Sequence, residues 1–132
     1  MASPRDDVKG RIDAIEESYE FLLAFAAQGL TSDQGSKTSG QLRGFLSKCE
    51  GALDELAAAM RVLAAEESFE PATTWAEVLD VVERDASDTL SAVRLVAAQD
   101  SISSQLIDNL NANIHFRALL TDLFLVDELI GS

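Results

Sequence analysis

The chain has 132 residues, and its 23 Asp and Glu against 10 Lys and Arg give a formal net charge of −13 at pH 7. With 47% hydrophobic residues it is too apolar for a disordered acidic segment, and its length suits one domain, residues 1–132, with a single core. Binding to nucleic acid or to an anionic membrane needs clustered Lys and Arg, so we expect neither as a partner.

The first predicted helix covers residues 4–28. Ser3 before Pro4 is typical of a helix N-terminus, because the hydroxyl can accept a backbone hydrogen bond. Apolar residues then recur at spacings of four and three, as on one buried helical face: Val8, Ile12, Ile15, Tyr19, Leu22 and Ala26. Gly29 predicts the end of this helix, and the polar residues 30–40 predict a loop.

The second predicted helix covers residues 40–65. Its apolar residues continue the heptad spacing without interruption: Leu42, Leu46, Cys49, Leu53, Leu56, Met60 and Leu63. At such a position the Cys49 thiol is expected to be buried and inert.

The third predicted helix covers residues 74–98. Thr74 and Glu77 form a capping-box pattern at its start. We expect Trp75 to pack there beside Phe69, and an exposed anchor for a partner is the alternative. Residues 99–104 are rich in cap-forming side chains, so they predict a break before the next helix.

The last predicted helix, residues 102–130, is apolar around most of its circumference near its C-terminus. A helix that is apolar on several sides must be buried on several sides, whereas each helix of a monomeric four-helix bundle keeps one face in water. We therefore predict a homodimer that forms through this helix. The predicted interface residues are Leu119, Leu123, Phe124, Val126 and Ile130.

Together these segments predict an all-α fold, an antiparallel up-down-up-down four-helix bundle. One Cys and one His are too few for a disulfide or a Cys/His zinc site, and we expect no metal and no other cofactor. The longest apolar run, residues 21–27, is too short to cross a membrane. The first residues carry no apolar leader segment, so we expect a cytoplasmic protein.

A polar stretch interrupts the last predicted helix and contains the single histidine. We call Asn109, Asn113, His115 and Arg117 the Asn/His patch. Polar residues at buried helical positions commonly determine register or oligomeric state, which is the structural interpretation. The functional interpretation is a polar pocket within the bundle that binds a small ligand.

Three activities known from helical bundles can be compared with this patch. Di-iron sites need Glu-x-x-His, but Ala112 stands three residues before His115. Nucleases of the HEPN type carry an Arg four to six residues before the helical His, and this chain has none there. Histidine phosphotransfer modules are bundles of this size with a basic residue one turn from the reactive His. Arg117 is only two residues from His115, about 200° around a helix.

The remaining motifs favour no catalytic site. The acidic residues are spread along the whole chain, which is typical of solvated helix faces, and no phosphate-binding or nucleophile motif occurs. We therefore expect a non-enzymatic interaction or regulatory module whose protein partner presents a basic or apolar surface. The alternatives are small-ligand binding by the Asn/His patch, histidine phosphotransfer by His115, and an acidic mimic of DNA, which the even spread of acids disfavours.

Overall fold

The structure, a computed structural model, describes residues 3–36 and 38–131. Over these ranges the chain is all-helical, with six helices and no strand, and the all-α prediction is confirmed. The helices are α1 (Pro4–Ala27), α2 (Ser39–Leu53), α3 (Leu56–Glu66), α4 (Ala72–Ala97), α5 (Ser104–Asn111) and α6 (Ile114–Ile130). None of the described helices combines the length and the apolar character that crossing a membrane requires.

Helix α1 follows its sequence signals. The Ser3 Oγ accepts a hydrogen bond from the Asp6 backbone N–H at 3.1 Å, and Pro4 stands in the first turn. Tyr19 is partly buried, and its ring meets the Phe116 ring edge-on with 5.5 Å between their centres. The buried residues of α1 are Val8, Ile12, Ile15, Ser18, Leu22 and Phe25.

The predicted second helix is divided into α2 and α3. Glu55 takes a left-handed backbone conformation with φ of 62°, which an α-helix of L-residues cannot contain. The Arg11 guanidinium on α1 donates hydrogen bonds to the carbonyl oxygens of Ala52, at 3.3 Å, and Asp54. A cation from a neighbouring helix therefore satisfies the carbonyl groups that the break exposes.

The predicted third helix begins earlier than expected. Pro71 stands at the N-cap of α4 and no side chain caps the helix, so the capping box of Thr74 and Glu77 is wrong. The break after this helix is confirmed, since α4 ends at Ala97 and α5 begins at Ser104.

Asp33 connects three parts of the chain at one end of the molecule. Its side chain is buried, and its Oδ1 accepts a hydrogen bond from the Ile102 backbone N–H at 2.8 Å. Its Oδ2 accepts from the Arg43 Nε at 3.1 Å, and the same guanidinium donates to the Ala97 carbonyl at 2.9 Å. The loop after α1, helix α2 and the end of α4 are thereby joined.

The core lies between the helices, with α1 and α4 each in contact with α2, α3, α5 and α6. All six helices contribute buried apolar side chains to it. Phe25 and Phe116 are among its largest fully buried residues. The two divided segments, α2 with α3 and α5 with α6, thus each contact both α1 and α4.

Candidate functional site

The Asn/His patch lies where the predicted last helix divides into α5 and α6. Asn113 is the N-cap of α6, and its Oδ1 accepts hydrogen bonds from the backbone N–H groups of His115, at 2.9 Å, and Phe116, at 3.3 Å. Asn109 is exposed on α5, where its Oδ1 accepts from the Gln105 Nε2 at 3.2 Å. Asn113 therefore has a structural role as a helix cap.

The other two members of the patch are on the surface of α6. The His115 side chain is half exposed, and its Nδ1 lies 3.6 Å from the Asp88 Oδ2 on α4. Arg117 is exposed as well. The structure thus pairs His115 with a carboxylate on a neighbouring helix, and it commits Asn109 and Asn113 to contacts within their own segments.

Asn111 is a buried polar residue of this stretch that the sequence prediction left out of the patch. It is only 5% exposed, and within the described chain neither its Oδ1 nor its Nδ2 has a hydrogen-bond partner. An unpaired buried amide costs about 1 to 3 kcal/mol. The sequence shows an Asn here, but it does not show that this Asn faces inward while its neighbours face solvent.

The predicted dimer interface is largely inside the protomer. Four of its five residues are buried by the chain's own helices: Leu119, Leu123, Val126 and Ile130. Phe124 is 58% exposed and stays available to a partner. The unusual apolar character of this segment therefore serves the chain's own core first.

An apolar groove of about 330 Å³ lies between the start of α4 and the C-terminal half of α6. Phe69, Trp75 and Val78 line one side of it, and Leu125 and Leu129 line the other. Leu125 is 56% exposed and Leu129 is 62% exposed. We refer to these five residues as the apolar groove.

Trp75 links this groove to the core. It is half-buried and packs against the core, and the Phe69 ring lies beside it with 4.8 Å between ring centres. The indole therefore packs at the start of α4, as predicted, and also lines a surface that another molecule can reach.

The two segments that form the groove are strongly acidic. Residues 62–83 and 118–131 contain no Lys or Arg. Their nine acidic residues are Glu66, Glu67, Glu70, Glu77, Asp80, Glu83, Asp122, Asp127 and Glu128. Arg5, Lys9 and Arg61, from outside these segments, pair with four of them: Glu67, Asp127, Asp80 and Glu83. The other five are in no ion pair of the described structure, and one of them, Glu70, lines the groove.

Asp122 lies one helical turn before Leu125 and is partly buried. Burial, together with the nearby Asp85 carboxylate, raises the pKa of Asp122 to about 7. The Asp122 carboxyl group is therefore partly protonated at neutral pH. Asp122 places a titratable group on the same side of α6 as the groove.

The remaining reactive groups form no catalytic set in the part of the chain that the structure describes. Cys49 is buried, as expected, and burial raises the pKa of its thiol to about 12. Within residues 3–36 and 38–131, no three His, Cys, Asp or Glu side chains come together as metal ligands. Comparison of the chain with models of protein families, with curated proteins and with solved structures gives no significant match.

Proposed function

We propose that this protein is a non-enzymatic interaction module that binds a protein partner through the apolar groove. The observation that carries the proposal is the exposure of Leu125 and Leu129 beside the half-buried Trp75. Complete burial of a fully exposed Leu contributes about 1.5 to 3 kcal/mol, so covering the exposed part of Leu125 or Leu129 contributes roughly half of that. A contiguous apolar groove on a highly charged chain is typical of a docking surface.

The proposal includes the predicted up-down-up-down four-helix bundle. Its four segments are α1, α2 with α3, α4, and α5 with α6, so two of the four are broken helices. The contacts of α1 and α4 with both divided segments support this arrangement. In such a bundle each segment has one face that no other segment covers, and the exposed side of α6 is unusually apolar for that position.

Binding through the groove can be tested with two matched leucine variants. Leu129→Ala shortens a groove residue, and Leu95→Ala shortens a residue on α4 that is similarly exposed, at 67%. Leu95 is twenty residues along α4 from Trp75, which is about 30 Å at 1.5 Å per residue. Removal of either exposed side chain should leave the core intact.

The experiment immobilises the wild type and both variants and exposes them to an extract of the cells that produce the protein. We expect a protein that the wild type and Leu95→Ala retain and that Leu129→Ala loses. The purified partner should show the same dependence on Leu129 in direct binding. Retention that is equal for both variants would contradict docking through the groove.

Homodimer formation through α6 is also part of the proposal. Phe124 supports it as the predicted interface residue that remains exposed. Sedimentation velocity of the purified protein should give twice the chain mass of 14.2 kDa, and Phe124→Ala should give the monomer. A 14.2 kDa wild-type particle at micromolar concentration would exclude the dimer and leave the groove proposal standing.

Histidine phosphotransfer is a second candidate, because the half-exposed His115 is accessible to a phosphodonor. Asp88, 3.6 Å away, opposes it, since a carboxylate repels the incoming phosphoryl group. Incubation with acetyl phosphate should label the wild type and not His115→Gln if this activity exists. Absence of label on the wild type would remove it.

A further inference from the structure

We infer that the occupant of the apolar groove is an amphipathic helix with Lys or Arg beside its apolar face, an inference that rests on the proposed function. Trp75 and Val78 are three residues apart on α4, and Leu125 and Leu129 are four apart on α6. Each pair therefore forms a row along its helix. Apolar side chains at helical spacing on a third helix can enter the groove between the rows.

The walls of the groove favour a helix over an added β-strand. Apart from Phe69, Glu70 and Pro71 in the loop before α4, the lining residues belong to α4 and α6, and most backbone N–H and C=O groups of an α-helix bond within the helix. A peptide that binds as an added β-strand must pair its backbone with a free strand edge, and α4 and α6 offer none. A helix satisfies its own backbone and needs only side-chain contacts from the groove.

The charge around the groove favours a basic partner. The two segments that form it hold nine acidic residues and no Lys or Arg. The five acids without an ion pair in the described structure are Glu66, Glu70, Glu77, Asp122 and Glu128. Glu70 lines the groove and Glu128 is adjacent to Leu129 in the sequence, so ammonium or guanidinium groups at the edges of the partner helix would lie near these two carboxylates. Such charges steer association and strengthen binding.

The same charges disfavour a second copy of this chain as the occupant. A copy that entered the groove itself with its own α4–α6 face would place acidic segments against each other. The homodimer proposed through Phe124 is a different arrangement, because Phe124 does not line the groove. Juxtaposed like charges cost several kcal/mol at an interface. An acidic helix would be repelled in the same way, so charge selects among amphipathic helices of similar apolar content.

Trp75 supplies the measurement, because it is the only Trp of the chain and it lines the groove. The probe is a synthetic peptide of about 14 residues, four helical turns, with Leu at positions i, i+3, i+4 and i+7 and Lys elsewhere. We expect a saturable blue shift of the Trp75 emission as the peptide is added. One control peptide has the same composition in scrambled order, and a second has Glu in place of Lys.

Matched variants separate groove binding from general attraction to an acidic protein. Leu129→Ala should lower the affinity for the peptide about tenfold, which corresponds to about 1.4 kcal/mol. Leu95→Ala should leave this affinity unchanged. A double variant of the groove region, Glu70→Gln with Glu128→Gln, should lower both the affinity and its dependence on salt. Glu20→Gln with Asp108→Asn removes two charges from exposed sites elsewhere and should have less effect.

The inference is overturned if the scrambled or the Glu peptide binds as well as the Leu/Lys peptide, or if both leucine variants bind it equally. It is also overturned if the protein is a dimer whose Trp75 is covered and the peptide cannot compete. These outcomes are distinct from failure of the proposed function. A cellular partner that depends on Leu129, together with no binding of the Leu/Lys peptide, would reject only the basic amphipathic helix.

Discussion

Replacing Asp33 with Ala should lower the free energy of unfolding by about 3 to 5 kcal/mol. The Ile102 N–H, which donates to Asp33 at 2.8 Å in a buried position, would lose its partner at a cost of about 1 to 3 kcal/mol. The charge-assisted hydrogen bond from Arg43 at 3.1 Å would also be lost, and such a bond contributes about 1.5 to 3 kcal/mol. Both hydrogen bonds end on the same carboxylate, so their energies are not independent and do not simply add. The two values therefore give a range for the total loss.

Asp33→Asn provides a graded comparison. The amide oxygen that this substitution introduces can still accept from the Ile102 N–H, while the negative charge opposite Arg43 is gone. We expect a loss of about 1 to 2 kcal/mol, smaller than for Ala. Urea denaturation followed by far-ultraviolet circular dichroism at pH 7 measures both variants. A loss below about 1 kcal/mol for Asp33→Ala would refute the assignment of Asp33 as the residue that joins these segments.

The dependence on pH gives the same prediction a second test. Burial by itself raises the pKa of Asp33, but the hydrogen bonds from Ile102 and Arg43 and the charge of Arg43 together lower it below its ordinary value. Because the pKa is lower in the folded state, the ionised side chain stabilises the protein above about pH 4. That contribution disappears as the pH falls through the folded-state pKa. The difference between the wild type and Asp33→Asn should therefore shrink by pH 3, and a constant difference would contradict this.

Three further predictions concern groups that the structure buries. Asp122→Asn should raise the free energy of unfolding by about 1 kcal/mol at pH 8 and have no effect at pH 4, as measured by urea denaturation. The pKa of Asp122 is about 7 in the folded state, well above its ordinary value, so ionisation of this group increasingly favours unfolding as the pH rises from 4 to 7. Equal effects of the substitution at pH 4 and pH 8 would contradict this prediction. Asn111→Leu should stabilise the protein by about 1 to 2 kcal/mol in thermal unfolding, because it removes an unpaired buried amide, and destabilisation would show that the amide has a bonding partner. Cys49, with its pKa raised to about 12, should react with a chromogenic thiol reagent only after denaturation, and rapid reaction of the native protein would contradict its burial.

Helix α1 shows what local sequence signals can predict. Its predicted and observed bounds differ by one residue, 4–28 against Pro4–Ala27. The Ser3 cap and the proline in the first turn act within a few residues, so they need no knowledge of the rest of the fold. Gly29, with φ of 65°, then follows the end of the helix.

The division between α2 and α3 shows where local signals fail. Leu53 and Leu56 are both buried, so the apolar spacing continues across the break and gives no sign of it. The hydrogen bonds that satisfy the break come from Arg11, more than forty residues earlier in the chain. Only the tertiary structure brings that cation to Glu55, whose left-handed conformation ends the regular helix.

The division between α5 and α6 had a local signal that allowed two interpretations. An Asn within an apolar pattern can be a buried register residue or a helix cap. Asn113 is the cap, and Asn111 is the buried residue. Whether each Asn faces the core or the solvent depends on where the helix is broken between α5 and α6. The spacing of the polar residues alone therefore could not assign their roles.

The apolar circumference of α6 was visible in the sequence, but the sequence could not divide it between core and interface. Helical spacing shows that Leu123 and Leu125 point in different directions, and it does not show which direction faces the chain's own core. The structure buries Leu123 and leaves Leu125 exposed. The residues predicted for the dimer interface are therefore mostly on the inward face of α6, and only Phe124 among them is exposed.

The acidic charge has a different meaning once the cations are located. The acids are spread along the chain, which is why they suggested a uniformly solvated surface, but residues 62–83 and 118–131 contain none of the 10 Lys and Arg. The absence of Lys and Arg from these two segments is visible in the sequence, but the segments lie far apart along the chain. The fold brings them together at Trp75 and Leu129, on the two sides of the apolar groove. A partner that supplies both apolar contact and positive charge at this place would remove two unfavourable features of the isolated chain at once, exposed apolar area and unpaired carboxylates.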